Sequence, residues 1–374
     1  MPVIRIGSSQ VFAATALALV LGTPISAGAQ ALTSGKEYMV VTNHPNNLHV
    51  IDLAAQRVMK TCELPGIYGP ATVQISPDRR TAYVLNNQWA HIYGIDLDTC
   101  RLTFHALLSL ADNERSKSIC SLALSPDGSE LYTVVSPTIL HKDRYEVKPT
   151  RLQVYSTRAG LNAKPIRTLP APRQVTVMQT GADGSLYMAG ADIYKVNVRT
   201  GQAEVAILSR NWERPLYAPP DVLNAWPMET PTRDFTILYT TAKFQDESFD
   251  MDTAEWIYGY MNVNLETGKT ETVDFAELVE IYFTGMISPK DRNIIYGVLN
   301  RLTKYDIREK KLLAHAELDH SYYAVNLSRD GSRVYLGGTL NDIAIFDADD
   351  LKPLGKIKLP GGDMATTTPQ IFIR

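Results

Sequence analysis

One short pattern recurs seven times along the chain, and its spacing limits the possible folds more than any other feature. Each copy is an apolar strand signal that ends near Asp, Asn or Tyr and runs into a polar turn. The seven copies are His49–Asp52, Tyr93–Asp96, Leu152–Tyr155, Tyr194–Asn197, Met261–Asn264, Thr303–Asp306 and Ala344–Asp347. Internal similarity at this period is typical of propellers and solenoids, whose repeats bury their faces only against neighbouring repeats.

The two ends of the chain complete each other within this repeat. A full repeat has four strand signals with alternating apolar and polar residues, but the first repeat lacks its innermost strand. A surplus strand signal, Pro369–Arg374, follows the last repeat and can pair beside Glu37–Val41. The sequence therefore predicts an all-β, seven-bladed β-propeller closed by the C-terminal strand pairing into the first blade, which leaves only short, protected sheet edges.

The predicted propeller is a single domain at residues 36–374. Its predicted blades are residues 36–65, 69–110, 118–172, 173–210, 215–278, 279–320 and 321–362. Turn motifs separate the first and second strands of the blades. They are Ser76–Arg79, Ser125–Gly128, Gly181–Gly184, Ser288–Asp291 and Ser328–Gly331. Pro presets φ, Asp accepts from backbone N–H groups and Gly takes positive φ, so we expect hairpin turns there and assign them no chemistry.

Residues 1–29 have the pattern of a secretory signal peptide. Arg5 lies in a short polar start, an apolar run extends from Val11 to Ile25, and small residues precede Gln30. The alternative is an uncleaved membrane anchor, but the run is shorter than the roughly 20 residues of a bilayer span. We expect cleavage, export and no membrane association of the mature chain.

The charge balance gives no indication of a nucleic-acid partner. Arg5 is the one charged residue within 1–29, so the mature chain carries 36 Lys and Arg against 40 Asp and Glu. Nucleic-acid binding proteins show a basic patch or stripe instead.

Three cysteines allow at most one disulfide in an exported protein. We predict that Cys62, at the end of an outer strand, pairs with Cys100, in the turn before the next outer strand. The alternative is two unpaired thiols. Cys120 lies in the apolar segment Ser118–Leu124, which we interpret as a strand with a buried thiol.

The chain has no recognisable catalytic motif. It lacks the c-type haem signature Cys-x-x-Cys-His, a phosphate loop, His-Glu-x-x-His and Gly-x-Ser-x-Gly. His44 and His49 flank one turn, but no cysteine or carboxylate stands at ligand spacing beside them. We therefore predict no catalytic residue, no metal and no cofactor in this chain.

One face of the predicted ring is rich in aromatic and amide residues. The links between blades and the connections from second to third strand fall on this face, which we name the linker face. Tyr, Trp and Arg are the residue types that dominate protein interfaces. The candidate contact residues are His44, Asn46, Tyr68, Asn87, Trp89, Tyr282, Phe283, Asn300, Arg301, Tyr322, Tyr323 and Asn341. We rank Trp89, Tyr282, Tyr322 and Tyr323 first; the alternative is that the tyrosines pack the ring interior.

Two insertions between strands interrupt the regular spacing, at Pro137–Pro149 and Gln245–Glu255. The second contains five acidic residues and is followed by Trp256. Long insertions on a rigid scaffold often carry binding sites, and the alternative is tolerated loop growth.

Several long, non-repetitive segments resemble one protein family over essentially the whole mature chain. They are Pro45–Val50, Ala82–Asn87, Ile92–Cys100, Tyr282–Gly285, Tyr296–Leu302 and Leu359–Met364. The chain is similar here to the beta subunit of quinohemoprotein amine dehydrogenase.

This resemblance implies a seven-bladed propeller within a periplasmic heterotrimer that deaminates primary amines to aldehydes. In that family the gamma subunit carries cysteine tryptophylquinone, and the alpha subunit carries two c-type haems for electron transport. The beta subunit docks the gamma subunit and forms part of the wall around its quinone. The resemblance thus implies a subunit of an oxidoreductase complex that is not catalytic alone.

Two other function classes of propeller proteins fit this sequence less well. A stand-alone hydrolase of the lactonase type requires a metal or an acid/base set in the central channel, where Glu280, Asp319 and Asp363 are the only candidates. A cell-surface adhesion propeller requires multidomain length and repeats of nearly equal size, and this sequence shows neither.

Overall fold

The computed structural model describes residues 32–222, 231–364 and 367–374. Within these residues the chain forms thirty β-strands and one short 3₁₀ helix, Gly160–Asn162. The strands form seven sheets arranged as a ring, so the predicted seven-bladed β-propeller is confirmed. The predicted signal peptide, 1–29, lies outside the described residues. None of the helices in the described ranges combines the length and apolarity needed to cross a bilayer.

The strands follow one another blade by blade. Blade 1 contains β1 (Glu37–Asn43), β2 (Asn47–Asp52), β3 (Arg57–Glu63) and, from the other end of the chain, β30 (Gln370–Ile373). Blade 2 contains β4 (Val73–Ile75), β5 (Thr81–Asn86), β6 (His91–Asp96) and β7 (Leu102–Leu107). Blade 3 contains β8 (Glu114–Lys117), β9 (Ala123–Leu124), β10 (Glu130–Leu140), β11 (Tyr145–Val147), β12 (Arg151–Ser156) and β13 (Arg167–Pro170). Blade 4 contains β14 (Val177–Thr180), β15 (Leu186–Ala189), β16 (Ile193–Val196) and β17 (Ala203–Ile207). Blade 5 contains β18 (Asp221–Val222), β19 (Asp234–Lys243), β20 (Glu255–Asn264) and β21 (Thr270–Glu277). Blade 6 contains β22 (Thr284–Ile287), β23 (Ile294–Val298), β24 (Arg301–Asp306) and β25 (Lys311–Glu317). Blade 7 contains β26 (Ala324–Leu327), β27 (Arg333–Gly337), β28 (Asp342–Asp347) and β29 (Pro353–Lys358).

The ring is closed by the last strand, as predicted. β30 pairs antiparallel with β1 and supplies the innermost strand of blade 1, with Tyr38 opposite Phe372 and Val40 opposite Gln370. The guanidinium of Arg374 donates two hydrogen bonds to the carboxylate of Asp98 in blade 2. The C-terminal strand is therefore held by a sheet and by an ion pair at once.

The hydrophobic core is divided among the interfaces between neighbouring blades. Between blades 7 and 1, for example, Tyr335 and Ile345 pack with Met39 and Ile51. Each such cluster draws buried side chains from two sheets, so no blade can bury its faces alone. Full burial of one aliphatic side chain contributes roughly 1.5–3 kcal/mol.

Hydrogen-bonded turns join the first and second strands, where the sequence predicted them. The hydroxyl of Ser125 donates to Asp127 Oδ1 at 2.6 Å, and that of Ser328 donates to Asp330 Oδ1 at 2.6 Å. Gly128 has φ +70°, in the region that favours glycine. These turns, with those between third and fourth strands, form the side of the ring that we name the turn face.

Blade 3 differs from the prediction at its start. Ser118–Leu124 was predicted as one strand, but only Ala123–Leu124 is strand, and Cys120 lies in a connection with φ +62°. The strand prediction for Cys120 is therefore wrong, although its thiol is buried. The structure also joins Cys62 and Cys100 by a disulfide with a Cα–Cα distance of 5.2 Å.

Candidate docking face

The linker face is built from two sets of connections that antiparallel pairing brings to one side. Each blade enters its first strand from this face and returns to it between its second and third strands. Side chains on these loops are held by rigid sheets beneath them, an arrangement typical of binding surfaces.

Five of the candidate residues meet at the corner between blades 1 and 2. The ring of His44 lies 4.5 Å from that of Tyr68, measured between centroids. The amide of Asn46 donates to Gly66 O at 2.8 Å, and Asn87 Oδ1 accepts from the backbone N–H of Ile67 at 3.2 Å. The linker that carries Tyr68 is thus clamped between two loops, and it presents a ring that is 56% exposed.

Trp89 lies at the same corner but is less available than the sequence indicated. Its side chain is half-buried and packs against the core cluster between blades 2 and 3. The loop accommodates this packing because Asn87, Gln88 and Trp89 all take positive φ. Trp89 thus packs partly against its own blade, and its role as a contact residue stays a prediction.

Three buried polar atoms at this corner lack a hydrogen-bond partner: His44 Nδ1, Asn46 Oδ1 and Asn86 Oδ1. Asn86 is fully buried, and its amide donates to Pro65 O at 3.1 Å. Buried polar groups are nearly always paired in native proteins. The corner therefore has hydrogen-bonding capacity that its own side chains do not use.

A second corner, between blades 6 and 7, holds most of the remaining candidates. The rings of Phe283 and Tyr323 lie 4.7 Å apart. Asn300 Oδ1 accepts from the hydroxyl of Ser321 at 2.6 Å, and Arg301 Nε lies 2.8 Å from Glu317 Oε1. On the next loop, Asn341 donates to Gly361 O at 3.0 Å.

Tyr282 and Tyr322 do not lie on the surface, so their first-ranked role as contact residues is corrected. They are 3% and 0% exposed. The hydroxyl of Tyr282 lies 3.1 Å from that of Tyr305, and the hydroxyl of Tyr322 donates to Asp342 Oδ1 at 2.9 Å. Burial raises the pKa of each phenol. They pack blade against blade, the interior role left open as the alternative.

Exposed apolar side chains mark the linker face, a feature that sequence reasoning missed. Most of the large exposed apolar residues in the described ranges lie on this face. They are Ile67, Tyr68, Leu110, Ile119, Tyr145, Val147, Leu208, Phe249, Met251, Trp256, Val279, Ile281 and Leu340. Tyr68 and Trp256 were singled out from the sequence, but the aliphatic residues in the loops were not, because the sequence argument weighed only aromatic, amide and Arg residues. Concentrated exposed apolar surface indicates a site of protein contact.

Two long strand pairs rise from this face at the predicted insertions. β10 has eleven residues, and β19 and β20 have ten each, whereas β15 and β16 of the intervening blade 4 have four each. At about 3.3 Å per residue, the difference corresponds to roughly 20 Å of extra length. We name Pro137–Pro149 the blade 3 arm and Gln245–Glu255 the blade 5 arm.

The histidines at the first corner are structural in their contacts. His49 is buried, with Nε2 2.9 Å from Asn43 Oδ1 and Nδ1 2.8 Å from Thr61 Oγ1. Burial lowers its pKa to about 4, so the ring is neutral at pH 7. Among the described residues, no group of three or more His, Cys, Asp or Glu is arranged to hold a metal ion.

Comparisons with known proteins show the fold and no more. No family model matches the sequence, and no curated protein matches it. Among solved structures, hydrazine synthase from Kuenenia stuttgartiensis has a TM-score of 0.51 and 14% identity, covering 84% of this chain and 90% of that chain. Apo AztD from Citrobacter koseri has a TM-score of 0.52 and 11% identity, covering 90% and 98%. Dihydro-heme d1 dehydrogenase NirN, in complex with DHE, has a TM-score of 0.53 and 11% identity, covering 92% and 76%. At these identities the likeness establishes a propeller but not a shared activity.

Proposed function

We propose that this chain is the non-catalytic propeller subunit of a periplasmic quinohemoprotein amine dehydrogenase complex. It docks the quinone-bearing gamma subunit on its linker face and forms part of the wall around that subunit's active site. The observation that carries the proposal is the concentration of exposed apolar side chains on this one face. The resemblance of the sequence to the beta subunit of that family supplies the identity of the partner.

The chemistry of the complex belongs, in this proposal, to the partner chains. The resemblance assigns cysteine tryptophylquinone to the gamma subunit and c-type haem to the alpha subunit. This chain contributes apolar surface that excludes water around a docked partner, with Ile67 and Tyr68 at one corner and Phe283 and Tyr323 at the other. The buried, unpaired polar atoms beside Tyr68 add hydrogen-bonding groups near that contact.

The arms fit the same role. Asp246, Glu247, Asp250 and Asp252 are exposed on the blade 5 arm, together with Phe249 and Met251. Acidic and apolar side chains in one loop suit a partner surface that is basic around an apolar centre. Both arms stand beside blade 4 and limit the lateral position of a docked subunit.

A pull-down from periplasmic extract tests the proposal. With a tag on this chain, we expect co-purified bands that stain for quinone and for pyridine-haem, together with amine-dependent dye reduction. The isolated chain should show no visible chromophore and no such reduction. Recovery of this chain alone, or activity in the isolated chain, would contradict the proposal.

The hydrolase alternative gains no support from the structure. Asp319 binds Lys356, and Asp363 Oδ1 lies 3.6 Å from His44 Nε2. Glu280 Oε1 lies 4.0 Å from Arg301 Nη1. The three carboxylates belong to separate pairs on different linkers and do not form one acid/base set.

A further inference from the structure

A cavity of about 450 Å³ lies where the central channel opens on the turn face. Its walls come from the ends of the inner strands and from the turns that follow them, in every blade but the sixth. We name this opening the lower mouth. It is on the opposite side of the ring from the linker face, so the proposed docking does not use it.

One buried side chain in the lower mouth carries an unused donor. Gln74, on the inner strand β4, is 8% exposed and lines the cavity. Its Nε2 is buried and has no hydrogen-bond partner. Leaving such a donor unpaired costs about 1–3 kcal/mol, so this position favours an occupant of the cavity that accepts a hydrogen bond.

Three arginines line the same cavity from three different blades: Arg79, Arg233 and Arg329. Arg233 is positioned by Glu266, with Nε 3.0 Å from Oε1, and it also reaches Thr180 O at 3.4 Å. Arg329 is exposed, and its backbone N–H donates to Glu37 Oε1 at 2.7 Å. Glu37 and Glu266 are the carboxylates in the lining, so three cationic groups face two anionic ones.

The donors select the chemistry of the ligand. Guanidinium groups present several N–H donors in a fixed plane that matches the oxygens of carboxylate, phosphate and sulfate. The amide of Gln74 adds a neutral donor at the buried end. A cation would find fewer partners there, because the arginines outnumber the glutamates.

We propose that the lower mouth is a binding site for a small oxyanion, held by the amide of Gln74 and by guanidinium groups of the first-to-second strand turns. The inference is independent of the proposed function. A bound oxyanion connects turns of blades 2, 5 and 7 across the channel, so its binding should stabilise the closed ring.

Thermal unfolding of the purified protein in phosphate, sulfate, acetate and chloride, at equal ionic strength and pH, tests the site. A ligand that binds only the folded ring raises Tm. We expect a rise of about 1–2 °C in at least one oxyanion relative to chloride, the size that about 1 kcal/mol produces in a chain of this length. The anion that raises Tm most identifies the oxyanion group that the site prefers.

Two variants and a control assign the rise to the lower mouth. Gln74→Met keeps the side-chain volume, and Arg329→Ala removes an exposed guanidinium; each should lose most of the oxyanion-dependent rise while remaining folded in chloride. Arg308→Ala, on an exposed turn of blade 6 outside the cavity lining, should keep the full rise. An equal rise in Tm for the wild type and all three variants means an adventitious ion only. If no oxyanion raises the Tm of the wild type, the proposed site is wrong.

Discussion

Tyr68 and Tyr322 show how two tyrosines on similar linkers between blades can have opposite roles. Tyr68 is exposed and its ring contacts that of His44 at a tilt of 31°, whereas Tyr322 is fully buried and hydrogen-bonded to Asp342. The first can contact a partner without contributing much to folding. The second contributes to folding and cannot reach a partner.

Tyr68→Ala should weaken docking and leave folding intact. Truncating an exposed aromatic contact residue costs about 1–2 kcal/mol of binding, or roughly tenfold in affinity, while surface changes shift stability by about 0.5 kcal/mol at most. Titration of tagged chain against the partner subunits, with Tm measured in parallel, checks this. Leu313→Ala, an exposed apolar residue on the outer strand β25, is the matched control and should bind normally.

Tyr322→Phe should have the reverse effect. The change removes the hydroxyl that donates to Asp342 Oδ1 at 2.9 Å, and the carboxylate keeps His320 Nε2 at 3.1 Å and Lys356 Nζ at 3.6 Å. We expect a loss of about 1–3 kcal/mol in the free energy of unfolding, measured by urea denaturation. Weaker partner binding with an unchanged free energy of unfolding would contradict this assignment and indicate that Tyr322 contacts the partner.

At the scale of single elements, the linker between blades 4 and 5 is fixed by one carboxylate. Asp274 on β21 accepts from Arg214 Nη2 at 2.9 Å and from the hydroxyl of Tyr217 at 2.8 Å, and Tyr239 also donates to it. Burial opposes its ionisation, but these three donors lower its pKa to about 2. The linker thus depends on a charged Asp274.

Stability from this carboxylate should depend on pH in a defined direction. Its pKa is lowered on folding, from about 3.9 in the unfolded chain, so its contribution is complete above pH 4 and is lost as pH falls towards 2. Asp274→Asn should destabilise by about 1–2 kcal/mol at pH 7. Urea unfolding at pH 7 and pH 3 should show the gap between wild type and variant narrowing at the lower pH; a constant gap contradicts the assignment.

The blade 5 arm offers a test of an element without a role in the core. Replacing Gln245–Ala254 with an Asn-Gly turn joins β19 to β20 directly, and we expect Tm to change little because the acidic tip is exposed. Partner binding should weaken and lose part of its salt dependence, measured by titration at two ionic strengths. Unchanged binding would favour tolerated loop growth.

Local patterns predicted the elements well and the candidate site less well. Strand alternation and the turns at Ser125 and Ser328 depend on neighbours in sequence, so they could be found there. The burial of Tyr282 depends on the packing of the next blade, which no local pattern records. Local patterns also miss β8, a polar segment that becomes a strand because β10 extends far enough to pair with it. They miss the lower mouth as well, because its arginines come from repeats that are distant in sequence.

For the whole molecule, closure is the central energetic event. A chain that ends at Thr366 loses β30 and the Arg374–Asp98 pair, which leaves the inner edge of blade 1 and its apolar contacts uncovered. We expect a fall in Tm of more than about 10 °C, since several buried side chains at roughly 1.5–3 kcal/mol each lose their partners. Thermal unfolding followed by circular dichroism measures this, and an unchanged Tm contradicts the closure. Arg374→Ala alone is the milder comparison and should cost only about 1 kcal/mol.

Blade 1 takes three strands from residues near 37–63 and its fourth from residues 370–373. During synthesis, the earliest part of the domain therefore stays incomplete until the latest part has been made. Blades 2 to 7 can assemble in order behind it, but the circle stays open until the final segment arrives. A polypeptide that stops before β30 leaves the inner edge of β1 unpaired, so ring closure reports that synthesis has passed residue 373.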